Sequence, residues 1–500
     1  MNTNPPIKVD YTPTGNFWID NGLVHLLIKK GPGIYPANDL LRELRNDLLQ
    51  PTGKMDQYYD QNTKQLVTYP KLGWIAPASH FIKVNDTSSN KISVAGKEYR
   101  TAPANPELNL KYKSKIADCE ICGTHGLVVD TSMWIFPMVA AVDKFGNFYS
   151  GSKKGTLLCP RCAVAGVACY LSLLWVVQGR QTLHIFLFHG DLKDLELLRK
   201  EVIDYLKLSE SKAGNVKLPF YGDYPHETIL ALLLELFSHI GSSKTLSDER
   251  RKILASIFGV ETAAVGSKGS KLSLYCLSGS IEGTRQVFKA RHLSNITQLH
   301  ALYKLYEGWI AALADSQNPK QALTQVFRQF TVSQKQREET IWREKIAWAI
   351  LEFSDPLPYV EDYLFEGKLR SDNKTPLVWG TVNVIDYYCK EVLSMEEKLI
   401  KVLMGFGSNL GKQSAEKKDM SVLYALRNAK NVEEYLKVLN DAQFRFEMMV
   451  PREIVELQEE SKIFNTPWVR VKTLLSIYAM NSYLRTLKGG NEGQGGEKDE

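Results

Sequence analysis

The sequence lacks most of what the common function classes require. No apolar run is long enough to cross a bilayer. The longest uncharged apolar stretch, Ala163 to Val177, falls short of the roughly 20 residues a spanning helix needs. It reads instead as a buried helix, and no membrane partner is expected. The opening residues, Met1-Asn2-Thr3-Asn4-Pro5-Pro6, carry no basic segment followed by an apolar one, so no secretory signal is expected. There is no metalloprotease histidine box and no Gly-x-Ser-x-Gly elbow. The nine histidines are scattered; His184 and His189 flank an apolar strand and suit satisfied core or edge positions. No period of 20 to 50 residues signals a solenoid. A strong excess of one charge is also missing. With 62 basic against 56 acidic residues the formal net charge is +6, too little for a protein that coats bare DNA. Any nucleic-acid contact must be local, or shared with other subunits. Cysteine is sparse, at seven residues. Cys169, Cys276 and Cys389 stand singly, a usage that fits a reducing cytoplasm rather than an oxidised scaffold.

The other four cysteines form two pairs, Cys119-Glu-Ile-Cys122 and Cys159-Pro-Arg-Cys162, separated by 36 residues. Two close pairs of thiolates suit a tetrahedral zinc ion, each pair wrapping one side of the metal. Gly123 follows the first pair and Pro160 stiffens the second. Met138 to Val142, the turn-like Asp143 to Asn147, and Phe148-Tyr149 read as a hairpin carrying one knuckle toward the other. A redox dithiol is the rival reading, but it uses one pair beside a βαβ unit, and that context is absent. His125 reads as an ordinary loop histidine rather than as a replacement for one of the cysteine ligands.

The chain is expected to be α+β: a mixed N-terminal region with an inserted zinc-ribbon-like module, followed by a mainly α-helical C-terminal bundle. Residues 1–115 are mixed α/β. Here Thr14 to Gly22 forms a turn and aromatic cluster leading into the apolar Leu23 to Ile28, and Asp39 caps a helix with Leu40, Leu41, Leu44 and Leu48 on one face. Lys111, Lys113 and Lys115 form an alternating basic strip. Residues 116–180 hold the zinc-ribbon-like module and the following helix. Residues 181–293 are again mixed. Leu183 to Phe188 reads as a strand buried on both faces, 207–220 as a polar linker, Glu227 to Ile240 as a buried helix, and Leu272 to Cys276 as a half-buried strand. Arg285, Lys289 and Arg291 follow. Residues 294–487 form the bundle, with capping boxes at Ser394-x-x-Glu397 and Asn431-x-x-Glu434 and further helices over Pro451 to Lys462 and Val469 to Leu487. Residues 488–500 are expected to be disordered.

Gly405 to Lys412 looks like a phosphate loop but fails its spacing: Phe406 stands where glycine is needed, and Gln413 where Ser or Thr would hold magnesium. A loop between bundle helices is expected there. Two basic loops, Gly151-Ser-Lys153-Lys154-Gly155 and Gly266-Ser-Lys268-Gly-Ser-Lys271, are better candidates for phosphate contact. Glycine lets backbone approach closely, and lysine supplies a compact charge. The plain alternative is a pair of solvated turns.

Thr14 to Gly22, the two Cys-x-x-Cys motifs, Gly407 to Lys412 and Leu423 to Asn431 together resemble a CRISPR-associated family named for its CXXC-CXXC motifs, the large subunit of one group of type I Cascade effectors. The resemblance implies a non-catalytic subunit. It would help bind the 5′ handle of CRISPR RNA, recognise the motif flanking a double-stranded target DNA, contact other Cascade subunits, and recruit a helicase-nuclease in antiviral defence. The helical bundle would lie along the displaced strand or heteroduplex. The residues carried over are Cys119, Cys122, Cys159 and Cys162 as ligands of a structural zinc ion. The alternative reading is a zinc-containing nucleic-acid enzyme, a divergent nuclease.

Overall fold

The computed structural model describes residues 4–82, 90–132, 134–137, 156–178, 181–207, 215–216, 218–242, 247–258, 272–282, 287–334, 337–370, 375–458 and 461–492. The fold is α+β, with mixed sheets in the N-terminal half and helices at the C-terminus. The chain divides into two compact units, Met1–Lys217 with His239–His300, and Leu218–Ser238 with Ala301–Glu500. Among the described residues no helix is long and apolar enough to cross a membrane.

The first unit is built on one buried helix. A short strand, β1 (Pro6–Val9), leads into α1 (Phe17–Lys30). Asn16 caps α1, its side-chain oxygen accepting from the N–H groups of Trp18 and Ile19 at 3.0 and 3.1 Å, as a short polar residue with extended backbone does at a helix start. The turn expected over Thr14 to Gly22 therefore ends at Asn16, and Phe17 to Gly22 is already helical. Every residue from Phe17 to Val24 is buried. The Asp20 carboxylate turns back and accepts from Thr14 N–H at 2.8 Å, Thr14 Oγ1 at 2.7 Å and Gly15 N–H at 3.0 Å. Burial raises its pKa against the pull of those bonds.

After β2 (Gly33–Pro36), which pairs with β1, comes α2 (Ala37–Leu48). It buries Leu40, Leu41, Leu44 and Leu48 as expected. Asp39 is not its cap. Pro36 precedes the helix, and Asp39 sits in the first turn, accepting from Arg42 at 3.0 Å, where its charge faces the positive end of the helix dipole. A long hairpin, β3 (Leu49–Asp60) and β4 (Gln65–Trp74), joins β5 (Lys91–Val94) and β6 (Lys97–Arg100) in the order β4-β3-β6-β5; the short α3 (Ala78–Phe81) follows β4 in sequence.

The apolar run Ala163 to Val177 is not one helix. It splits into α4 (Pro160–Ala168), a 3-10 turn at Cys169–Leu171, and β10 (Leu174–Gln178). An unbroken apolar run cannot by itself separate buried helix from buried strand. Trp175, Val176 and Val177 find partners in His184, Leu183 and Thr182 of β11 (Gln181–His189). With β12 (Leu272–Glu282) and β13 (Val287–Ile296), these strands form an antiparallel sheet in the order β10-β11-β12-β13. β11 is buried on both faces from Thr182 to Leu187, and Leu272 to Cys276 alternates buried and half-buried, both as expected. His184 is fully buried, and among the described residues neither ring nitrogen has a hydrogen-bond partner. It packs among His80, Phe81 and Phe288, with centroids 4.7 to 5.3 Å away. The expected polar linker 207–220 ends in buried Val216, Leu218 and Phe220.

The second unit is mainly helical, as expected for the C-terminal region. It receives most of the helix Pro225–Ser242, α5, which begins two residues before the expected Glu227. Glu227 is buried and fully engaged. Its carboxylate accepts from Arg343 Nε at 2.6 Å, Thr340 Oγ1 at 2.7 Å and Tyr224 N–H at 2.9 Å. Further on lie α6 (Ile341–Leu351), α7 (Leu357–Asp362), α8 (Glu397–Glu416), α9 (Val432–Phe446) and α10 (Trp468–Glu492). α10 is buried at every position from Val471 to Asn481, the pattern of a helix at the centre of a bundle. It also continues to Glu492, so residues 488–492 of the expected disordered tail are helical.

α8 packs along α10. Gly405 to Lys412 lies inside α8 and is not an interhelical loop. Its glycines serve close packing. A Cβ at Gly407 would stand 2.7 Å from Tyr478 Cβ, and one at Gly411 would overlap the Ala479 carbonyl oxygen. Half of the Asn431 box forms: Glu434 N–H donates to Asn431 Oδ1 at 2.8 Å, but the Glu434 carboxylate accepts from Lys430 N–H, one residue before the cap, at 2.8 Å. The Ser394 box does not. Ser394 has φ +55°, and α8 starts only after Glu396. Among the described residues of Pro451 to Lys462 there is no α-helix: a 3-10 turn, Arg452–Ile454, stands near the start, and Lys462 opens a strand at Lys462–Ile463. Only Ile454 is buried among the described residues 451–458, too narrow an apolar face to hold a helix.

Two predictions follow from this packing. Gly411→Ala should destabilise the second unit by about 1–3 kcal/mol, the usual cost of overpacking. Gly405→Ala, where a Cβ meets nothing within 4 Å, should stabilise it by about 0.5–1 kcal/mol. Denaturant midpoints of the two variants check the opposite signs. The units should also respond oppositely to pH. Burial lowers His80 to about 4, and burial followed by the neighbouring Arg199 charge lowers His25 to about 3. Histidines depressed from 6.5 stabilise the first unit above that pH, and the contribution is lost as pH falls through the folded values. In the second unit burial raises Glu361 to about 7 and Asp386 to about 6. Their contribution is complete below the ordinary carboxylate pKa and is lost as pH rises toward 7. Hydrogen exchange between pH 4 and 7, read for each unit separately, should show the first unit gaining protection and the second losing it.

Candidate metal centre

The strands that follow the N-terminal region bring the two cysteine pairs together. β7 (Tyr112–Asp118) and β8 (His125–Asp130) form a hairpin whose turn is the first knuckle. Cys119 N–H donates to Thr124 O at 2.9 Å, and Gly123 N–H to Cys119 O at 2.8 Å. Gly123 has φ +73°, a left-handed conformation that glycine adopts without strain. β9 (Leu157–Leu158) pairs with β8 through Val129 and Asp130. Glu120 N–H also donates to Leu157 O at 2.9 Å, so the first knuckle is tied directly to the strand that leads into the second. The hairpin expected over Met138 to Tyr149 lies outside the described residues. The hairpin that carries a knuckle is β7–β8.

The second knuckle is a helix start. Cys159 is the N-cap of α4, its Sγ accepting from Cys162 N–H at 3.5 Å, with Pro160 in the first turn. Proline suits that place because its missing N–H would have no helical partner anyway. Cys119, Cys159 and Cys162 are buried and Cys122 is partly so. The four Sγ atoms lie within 4.8 Å of one another, and Cys122 and Cys159 are 3.6 Å apart. Thiolates at 2.3 Å from a tetrahedral ion stand about 3.8 Å from each other. All four are free thiols, and their spacing fits a metal ion at their centre.

Their electrostatics point the same way. Hydrogen bonds from Cys159 and Cys162 hold the Cys119 thiol far below its ordinary range. A hydrogen bond from Cys162 lowers Cys122 to about 5. The donors move oppositely: Cys159 is pushed up to about 12 by its bond to Cys119, and Cys162 rises further for the same reason. The protons are thus shared so that four thiolates do not face one another at once. A divalent cation removes that restriction, because its charge favours the thiolate at every ligand.

Other residues hold the centre in place. Thr124 Oγ1 lies 3.2 Å from Cys122 Sγ. Arg161, inside the second Cys-x-x-Cys, donates to Lys8 O at 3.0 Å, Asp10 Oδ1 at 3.0 Å and Thr12 O at 2.7 Å, pinning the chain ahead of α1 to the knuckle. Trp18 Nε1 donates to Gly166 O at 2.8 Å, and a side chain at Gly22 would overlap the Ala165 carbonyl. Only an arginine placed between two ligands hinted at this support in the sequence. His125 is not a ligand; its Nδ1 lies 2.7 Å from Asp118 Oδ1 at a largely exposed site. Lys153, Lys154, Lys268 and Lys271 lie outside the described residues. Among the described residues the four cysteines are the one group of three or more His, Cys, Asp or Glu side chains close enough to share a metal. No protein-family model matches the chain, and no curated protein matches it.

Chelation should expose this dependence. Cys169, Cys276 and Cys389 are fully buried, so under native conditions with a strong chelator a thiol reagent should titrate Cys119, Cys122, Cys159 and Cys162 first. The metal-loaded chain should resist. Hydrogen exchange should rise in α4 and in residues 8–12 at the same time. Equal thiol reactivity with and without chelator would contradict a metal held here.

Proposed function

We propose that the chain is the non-catalytic large subunit of a type I CRISPR Cascade effector, with one structural zinc ion held by Cys119, Cys122, Cys159 and Cys162. The observation that carries this reading is the joining of two separate marks of the family resemblance in one structural unit. Thr14 to Gly22 supplies the cap and first turns of α1, and those turns rest on the helix that the second cysteine pair begins. The third mark, Gly407 to Lys412, lies in the glycine seam of the helical unit. All three therefore have physical reasons to be retained in a scaffold.

The donor set supports zinc in a structural role. Four thiolates complete a tetrahedral shell, whereas catalytic zinc keeps a position open for water or substrate. In a guide-directed effector the RNA reads the target by base pairing, and the protein needs a short duplex contact and backbone charge. A net charge of +6 suits a subunit that shares CRISPR RNA and double-stranded target DNA with other Cascade subunits and passes cutting to a helicase-nuclease. Lys153, Lys154, Lys268 and Lys271 are the candidate phosphate contacts.

Co-expression with Cascade backbone subunits and a CRISPR RNA tests the reading. The chain should co-purify with the guide complex, with about one zinc per chain for one four-cysteine site. The complex should bind target DNA carrying the flanking motif. In a salt series, each lysine that meets a duplex phosphate should lower the slope by about one when changed to alanine, whatever the sequence. The Lys153→Ala/Lys154→Ala and Lys268→Ala/Lys271→Ala variants measure this. A chain that never joins the backbone subunits overturns the proposal. Magnesium- or manganese-dependent cleavage by the isolated chain, abolished by a point substitution, would favour the nuclease alternative.

A further inference from the structure

Arg199 is a cation that the first unit buries without a counter-charge. The helix that carries it runs over Leu192–Leu198, widens into a π-helical turn at Arg199–Ile203 and closes at Asp204–Leu206. Arg199 is the first residue of that turn, and single π-turns inside α-helices gather at functional sites. It is 6% exposed. Its Nη2 donates to Leu171 O at 2.7 Å and meets His25 Nδ1 of α1 at 3.3 Å. Nη1 is buried and has no hydrogen-bond partner among the described residues. A guanidinium has donors only, so His25 Nδ1 accepts and the ring proton sits on Nε2. That Nε2 is also buried, again with no partner among the described residues. Two unpaired donors therefore stand on side chains in mutual contact.

The surrounding groups do not answer the charge. Among the described residues no carboxylate pairs with Arg199: Asp204 accepts from Lys207 Nζ at 2.9 Å, and Asp47 is engaged by Lys29. Burial raises the Cys169 thiol well above its ordinary range, so it adds no negative charge at neutral pH. Burial first, then the charges of Arg199, Lys29 and Lys207, lowers His25 to about 3, so the imidazole is neutral and keeps its acceptor for Nη2. A buried charge left without a partner is far more costly than a buried neutral polar group.

We propose that Arg199 Nη1 and His25 Nε2 bind a small free oxyanion of the inorganic phosphate or sulfate class. Two donors on separate side chains need two acceptor atoms on one ligand, which a halide lacks and a tetrahedral oxyanion has. The guanidinium supplies the charge, and the imidazole supplies the second donor. A nucleic-acid phosphate brings two ester-linked chains with it, and a residue 6% exposed leaves no room for them. The bound ion completes the junction of α1, the 3-10 turn and the π-turn. The inference does not require the effector reading.

Equilibrium dialysis of the purified full chain against radiolabelled inorganic phosphate, in a chloride buffer of fixed ionic strength, tests the site. Wild type should bind phosphate saturably, and unlabelled sulfate should displace it. Oligo(dT) at equal phosphate concentration should not. Arg199→Met removes the charge at similar volume, a change that buried ionic groups often tolerate, and should abolish binding. His25→Asn keeps an acceptor near the place of Nδ1 and removes the Nε2 donor. It should weaken binding about 10- to 150-fold, the loss of one hydrogen bond to a charged group, and it keeps the test decisive if the methionine variant misfolds. Phosphate should also raise the thermal midpoint of wild type and leave that of Arg199→Met unmoved. Absence of saturable phosphate binding by wild type, with Nη1 served by a water molecule only, would overturn the proposal. So would wild-type affinity in His25→Asn, or displacement by oligo(dT) as effective as by sulfate. No partner subunit is present, so failure here and failure of effector assembly are separate results.

Discussion

Four thiols brought within 4.8 Å of one another cannot all ionise unless a cation shares the space. That constraint governs the first unit. The knuckle turn of β7–β8 is held against the start of α4 by β9 and by Glu120, and the sulfurs of both elements meet at a single point. From there the order passes outward. Arg161, locked between two ligands, fixes the chain from Lys8 to Thr12. Gly166 and Ala165 of α4 receive Trp18 and Gly22 of α1. α1 in turn reaches β11 through Asn21, whose Nδ2 donates to Leu187 O at 3.0 Å. One hydrophobic cluster runs from Ile7 through both cysteine pairs to Phe288, so the four-cysteine cluster is part of the core and not an appendage.

The helical unit is held by different means. Its central helix, α10, has no solvent face from Val471 to Asn481, and polar groups there must find partners inside. Asn481 Oδ1 accepts from Leu377 N–H at 2.8 Å, and Lys472 Nζ donates to Arg427 O at 2.6 Å. Tyr478 donates to Asp386. Glycine rather than leucine lines the seam with α8, because the helix backbones approach too closely for any side chain. The buried Glu227–Arg343 pair is tolerable for a similar reason of completeness: the guanidinium also donates to Tyr221 O at 2.5 Å, and the carboxylate accepts from Thr340 and Tyr224. A buried ion pair is weak evidence of stability on its own, but removal of one partner leaves an uncompensated charge.

What the sequence determined by itself was local chemistry whose geometry is set within a few residues. The Cys-x-x-Cys spacing identified the four thiols that the fold gathers close enough to share a metal ion, because two cysteines three apart can wrap one side of an ion whatever the remainder of the fold does. The leucines of α2 and the Asn431–Glu434 cap were legible for the same reason. Tertiary structure decided the rest. Gly405 to Lys412 is helix and not loop because α10 lies against it, and glycine's propensity to end helices is outweighed by close packing. Ala163 to Val177 breaks into helix and strand because β11 offers backbone partners to its second half, a fact of distant chain that no apolar run contains. His184 looked satisfied, but among the described residues its nitrogens have no partner, since the residues around it, His80, Phe81 and Phe288, come from segments far apart in sequence and supply rings instead of acceptors. Periodicity reports which residues avoid water. Which neighbours receive them is settled only when the chain closes on itself.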